Sequence, residues 1–107
     1  MPADALRAIR SRITTGWSQD AYARNAFGEQ VALGSDEAVS WTLCGAFALA
    51  GKDGTPMGHL PAALRVLAEV TEMESLNAWN DEAGRTKEEV LDALDAAIVR
   101  VESGDAL

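Results

Sequence analysis

The sequence predicts an all-α domain: an irregular bundle of about four helices around a buried central helix at residues 36–50, with a short irregular segment at 17–34. Three observations carry this. Apolar residues recur at helical spacing in the first and last thirds of the chain. Helix start and stop signals punctuate the sequence. Clear strand alternation is missing, and a two-stranded hairpin within 18–34 has little support.

The first helix is expected over Asp4 to Thr15, where Leu6, Ile9 and Ile13 share a face and Arg7, Arg10 and Arg12 lie elsewhere. Gly16 fits a left-handed closing residue, after which Trp17 packs back. Ser18 could cap a short helical turn through Asp20, Tyr22 and Arg24 that Gly28 ends, with Glu29 to Leu33 extended or irregular. Ser35 is a suitable N-cap, and Asp36 and Glu37 suit the positive end of a helix dipole. Val39, Trp41, Leu43, Cys44, Phe47 and Leu49 then make the helix apolar nearly all round, which implies burial. Gly45 inside it costs about 1 kcal/mol relative to alanine, a cost that close contact with another helix would offset. Gly51 closes it, and a loop with Gly54, Pro56 and Gly58 follows.

Pro61 suits the first turn of the next helix, whose stripe is Leu64, Leu67, Ala68 and Thr71, widened by Val66, Val70 and Met73, with an end near Leu76. Thr86 and Glu89 form a capping box ahead of Val90, Leu91, Leu94, Ala97, Ile98 and Val101, with Gly104 ending that helix. Repeats and low-complexity tracts are missing.

Composition narrows the function classes. At 107 residues the chain reads as a single helical domain, 1–107, able to bury roughly two thirds of its unfolded surface. One cysteine gives no internal disulfide, no basic-then-apolar leader is visible, and the stretch from Trp41 to Ala50 is too short to span a bilayer. The expected setting is therefore cytoplasmic, with no membrane partner. A formal net charge of −8 argues against direct nucleic-acid binding, which needs a basic face. It is compatible with plain solubility, or with docking onto a basic protein surface in competition with nucleic acid. The acid is spread along the chain, which suits the first reading better.

Few constellations suggest chemistry. Gly45 to Asp53 resembles a phosphate loop, but its spacing is one residue too long and Asp53 stands where a hydroxyl should hold magnesium. Cys44 and His59 are too few ligands for zinc, and a thiol in an apolar helix is inert. Neither a metal nor a cofactor is expected. Trp17, Trp41 and Trp79 read first as core anchors, Trp41 most simply so. Asn80 and Asp81 can hold a turn through Gly84, with Asp81 paired to Arg85 or Arg24. The functional alternative is a convergent cluster of Trp17, Gln19, Tyr22, Arg24, Trp79, Asn80, Asp81 and Arg85 facing a ligand or partner.

Several motifs together resemble a known family. They are Gly16-Trp17-Ser18-Gln19; Ala23-Arg24-Asn25-Ala26-Phe27-Gly28; Glu37-Ala38-Val39-Ser40-Trp41 with Gly45-Ala46; and Trp79-Asn80-Asp81 with Gly84-Arg85-Thr86 and Glu89-Val90. Their order from about Leu6 to Ile98 is similar to that of a bacterial and phage family of small proteins, domain of unknown function 6197. That family often carries cysteine after its first and second tryptophans, where this chain has Ser18 and Thr42. The resemblance implies an all-helical domain with its shared polar residues close together. It implies no reaction.

Two functions follow as expectations. One is a non-catalytic module that binds a protein with a basic surface, in one version an acidic inhibitor of a host nucleic-acid-binding complex. The other is a small-molecule-binding protein or enzyme with a pocket of a few hundred cubic ångströms lined by Trp17, Arg24, Asn80 and Asp81.

Overall fold

The computed structural model describes residues 2–51, 57–72 and 75–103. Its elements are α1 (Pro2–Thr15), β1 (Ala23–Arg24), β2 (Ser40–Trp41), α2 (Leu43–Leu49), a 3-10 turn (Met57–His59), α3 (Leu60–Thr71), α4 (Leu76–Asn80) and α5 (Lys87–Glu102). The fold is mostly helical with a small antiparallel sheet, so the all-α expectation is corrected in part.

The hub is α1, in place of the central helix expected at 36–50. Ala3, Ala5, Leu6, Ile9 and Ile13 are buried on it, and it packs against α2, α3, α5 and β2. Val90, Leu94, Ala97, Ile98 and Val101 of α5 complete the main core. Each large aliphatic side chain buried here contributes about 1.5–3 kcal/mol relative to exposure. Around the rim, Arg10 meets Asp95 at 2.5 Å, Arg7 pairs with Glu102, and Lys87 Nζ donates to the Thr14 carbonyl at 2.8 Å, satisfying one open group at the end of α1.

The stretch 36–50 divides because tertiary pairing outweighs its helical pattern. Ser35 Oγ accepts from Glu37 N at 3.1 Å, which makes a local turn and no helix start. Ser40 and Trp41 pair with Arg24 and Ala23, and Trp41 N donates to the Gly16 carbonyl at 3.0 Å. The helix starts only after Thr42, whose Oγ1 accepts from Gly45 N at 3.1 Å. Trp41 is thus a strand residue. It forms a second small core with Ala23 and Leu49, against which Val31, Leu33 and Ala38 pack.

The segment after Trp17 is a strand with a turn. Val31 N donates to the Ala23 carbonyl and Arg24 bridges Gln30, so residues 30–31 lie beside β1. Trp17 bridges Trp41 on the far edge of β2. The two-residue elements leave no periodicity to read. Gly16 is not left-handed. It is required because a Cβ there would stand 2.0 Å from the Val39 carbonyl oxygen. Gly45 likewise meets backbone, the Tyr22 carbonyl just before β1 at 2.4 Å from its would-be Cβ, and not another helix.

Pro61 lies in the first turn of α3. That helix stops before Leu76: Glu72 adopts φ 59° and its N–H returns to the carbonyls of Ala68 and Glu69. Leu76 then opens α4, with Ser75 Oγ accepting from Ala78 N at 3.2 Å. The capping box is present as expected, Thr86 Oγ1 accepting from Glu89 N at 3.2 Å and Glu89 Oε1 accepting from Thr86 N at 3.0 Å. Thr86→Ala should therefore lower stability by about 1 kcal/mol, read as a lower urea midpoint at unchanged slope. The expected roles of Asp53, Gly54, Pro56, Met73 and Gly104 lie outside the described residues. Among the described residues no helix is long and apolar enough to cross a membrane.

Candidate functional site

Trp79, Asn80 and Asp81 sit on and just after α4, a helix barely longer than a turn. Leu76, Trp79 and Asn80 are its buried face, at the three- and four-residue spacing one helical side requires. Trp79 enters the main core. Asn80 is fully buried, so both ends of its amide need partners inside the protein.

It finds four. Oδ1 accepts from Trp17 Nε1 at 2.7 Å and from Leu43 N at 3.1 Å. Nδ2 donates to the Ser18 carbonyl at 3.1 Å and to Asp81 Oδ1 at 2.8 Å. An amide can do little more. Leu43 N is one of the open donors at the start of α2, so a residue on α4 completes that helix start. One side chain therefore ties together α4, α2 and the strand after α1.

The neighbours extend the lock. Asp81 Oδ1 also accepts from Asp20 N at 3.0 Å, which holds Asp20 at φ 65°. Gln19 Nε2 donates to the carbonyls of Asn80 and Glu82, both at 3.0 Å. Arg85 Nε donates to the Trp79 carbonyl at 3.0 Å, and its guanidinium lies 4.0 Å from the Trp79 ring centroid. Arg85 reaches Glu82 at 2.6 Å and Glu89 at 3.3 Å. Gln19 and Arg85 thus satisfy carbonyls that end α4.

The corner expected from the sequence is therefore assembled, with altered partners. Trp17, Gln19, Trp79, Asn80, Asp81 and Arg85 converge. Among the described residues Asp81 pairs with neither Arg85 nor Arg24; it serves Asp20 and Asn80. Arg24 stands one step away, donating to the Gln19 carbonyl at 3.1 and 3.3 Å and to the Gly28 carbonyl at 2.8 Å. Tyr22 points outward, about half exposed. It lines a cavity of about 130 Å³ with Asp20, Ala21, Gln30, Asn77 and Asp81. Trp17, Arg24 and Asn80 do not line it.

Sequence reasoning missed Ser18, Asp20 and the Leu43 N–H as members of the corner. Backbone partners carry no residue-type signal, and nothing local marks Asp20 as left-handed. It also missed Arg12 over Trp41, 4.6 Å from the ring centroid, because that contact depends on the β pairing.

Chemically the corner is an immobiliser. Its central residue does not titrate, and its donors and acceptors are spent on the protein. Cys44 is half-buried, and burial pushes its thiol up, with the Asp81 charge adding to the effect, so it is a poor nucleophile. Among the described residues, no three His, Cys, Asp or Glu side chains gather as a metal cage would need.

Fold and corner together define a small, mostly helical domain braced by an internal polar lock. Residues 1–100 match the model of DUF6197, a family of unknown function, and the chain belongs to that family. No curated protein and no solved structure matches it.

Proposed function

We propose that the protein is a non-catalytic interaction module that binds a partner protein through the face built by residues 22–39. The carrying observation is Phe27, which is 87% exposed. A lone exposed apolar residue is ordinary. Here, however, three of the five large hydrophobics exposed among the described residues, Tyr22, Phe27 and Val39, fall in this one segment.

The turn that displays Phe27 is also rigidly built. Asn25 Oδ1 accepts from Phe27 N at 2.9 Å and Glu29 N at 3.0 Å, and Asn25 Nδ2 donates to Glu29 Oε1 at 3.1 Å. Asn25 N donates to the Glu29 carbonyl at 2.9 Å, and Gly28 supplies φ 81°. An aromatic held in place loses little entropy on binding and suits the role of anchor in a partner's pocket. Glu29, Asp36 and Glu37 in the same segment, within a chain of net charge −8, favour a partner with a basic surface.

The corner supports this reading over a small-molecule site, since its polar groups are spent internally and the adjoining cavity is small.

The test compares the protein with Phe27→Ala, each immobilised and exposed to host-cell lysate at low salt. The native protein should retain a partner that added salt releases. Phe27→Ala should lose it, since an anchoring aromatic contributes at least about 2 kcal/mol of binding. Its unfolding midpoint should not move. Identical retention by both proteins would rule out the anchor, and an empty native lane would count against the module.

A further inference from the structure

Residues 30–33 form the outer edge of the small sheet. Asn25 N donates to the Glu29 carbonyl and Val31 N to the Ala23 carbonyl, with Arg24 bridging Gln30 between them. In an antiparallel pair that pattern turns both backbone groups of the enclosed residue away from the neighbouring strand. The Gln30 N–H and C=O therefore face outward, and among the described residues neither has a hydrogen-bond partner. An open edge of this kind is a template for one more strand. Gln30, Val31, Ala32 and Leu33 include neither the lysine nor the proline that commonly blunts such an edge.

The two faces of the edge define what the added strand carries. On one face, Val31 and Leu33 pack against Ala23, Trp41 and Leu49 yet stay partly exposed. On the other, Gln30 joins Asp20, Tyr22, Asn77 and Asp81 around the cavity of about 130 Å³. The Asp20 carboxylate has no partner among the described residues, and Asp81 spends only Oδ1 on the corner. No cation lines the cavity, and Arg24, across from Gln30, is held by the Gln19 and Gly28 carbonyls. Two carboxylates in a space too small for a drug-sized ligand suit the end of one lysine or arginine side chain.

We propose that the edge at Gln30 takes an extended segment of the partner protein as an added strand of alternating apolar and basic residues. The apolar ones lie beside Val31 and Leu33, and a basic one enters the cavity between Asp20 and Asp81. This rests on the reading of 22–39 as the binding face and gives the partner its form. A second copy of the chain does not fit: its residues 29–33 bring no lysine or arginine, and two copies of net charge −8 repel.

The experiment titrates the ¹⁵N-labelled full chain with a capped synthetic peptide of alternating valine and lysine. The Gln30 amide signal should move saturably, and its hydrogen exchange should slow several-fold. Glutamate in place of the lysines should abolish both effects. So should methylation of one set of peptide nitrogens, those of lysine for an antiparallel strand or of valine for a parallel one. Asp20→Asn removes a carboxylate and keeps a residue that tolerates φ 65°, so it should weaken binding several-fold at an unchanged unfolding midpoint. The proposal is overturned if Gln30 shows no saturable change, if the glutamate peptide binds as well, if neither methylated peptide loses binding, or if Asp20→Asn binds unaltered. A lysate partner lost by Phe27→Ala while the peptide leaves Gln30 unchanged would sink strand addition and leave the binding face standing. Protection of Gln30 by the peptide with no partner retained from lysate would support the edge and sink the Phe27 module.

Discussion

Asn80→Ala is expected to cost about 3–5 kcal/mol of folding free energy, a large part of what a domain of this size has. The truncation removes no charge and little volume, so packing alone would predict a smaller loss. The cost comes from three groups left behind: Trp17 Nε1, Leu43 N and the Ser18 carbonyl. A buried group without a partner costs about 1–3 kcal/mol. Leu43 is fully buried and falls at the upper end; Trp17 is only partly buried and falls lower. Chemical denaturation reads the effect as a lower midpoint at unchanged slope.

Asn80→Asp separates hydrogen bonding from volume. It keeps an oxygen for Trp17 and Leu43 but sets a second oxygen against the Ser18 carbonyl and the Asp81 carboxylate. Its folded-state pKa would lie above the unfolded value. The penalty should therefore be largest at neutral pH and shrink as pH falls through that folded pKa. A loss below about 1 kcal/mol for Asn80→Ala would show that the corner is not a lock.

What the sequence disclosed follows from how local each signal is. The start of α5 was legible because Thr86 and Glu89 complete a cap within four residues. The face of α1 was legible because Leu6, Ile9 and Ile13 repeat at one period. The stretch 36–50 was not. Its apolar residues satisfy a helix pattern as well as two short elements, and Ser40 and Trp41 are strands only because Ala23, Arg24 and Trp17 lie beside them. Thr42, three residues ahead of Gly45, was the one local mark of the true helix start. The site divides the same way. Asn80 and Asp81 announced a polar corner by residue type alone. The identity of what fills it depends on Trp17 and Ser18, more than sixty positions away.

Gly45→Ala tests which of those levels governs. Helix propensity predicts a gain of about 1 kcal/mol, since alanine is the better helix former. The tertiary structure predicts a loss. The added methyl would lie 2.4 Å from the Tyr22 carbonyl oxygen, a backbone atom that cannot rotate aside. That carbonyl accepts from Thr42 N at 3.3 Å, so pushing β1 away also loosens the seam with β2. A net cost of about 2–3 kcal/mol is expected, at the upper end for overpacking. Gly16→Ala should cost at least as much, because its methyl would stand 2.0 Å from the Val39 oxygen on the approach to β2. Gly58→Ala, which meets nothing within 4 Å, should be close to neutral. One change presses on the approach to β2 and the other on the residue before β1, and both loosen the seam between the two strands. Once one has opened that seam, the other has less of it to lose, so the double variant should cost less than the two losses added. Strict additivity in the thermodynamic cycle would mean that the two glycines guard separate contacts. A stabilised Gly45→Ala would mean that β1 yields freely and that propensity, not the seam, decides this helix.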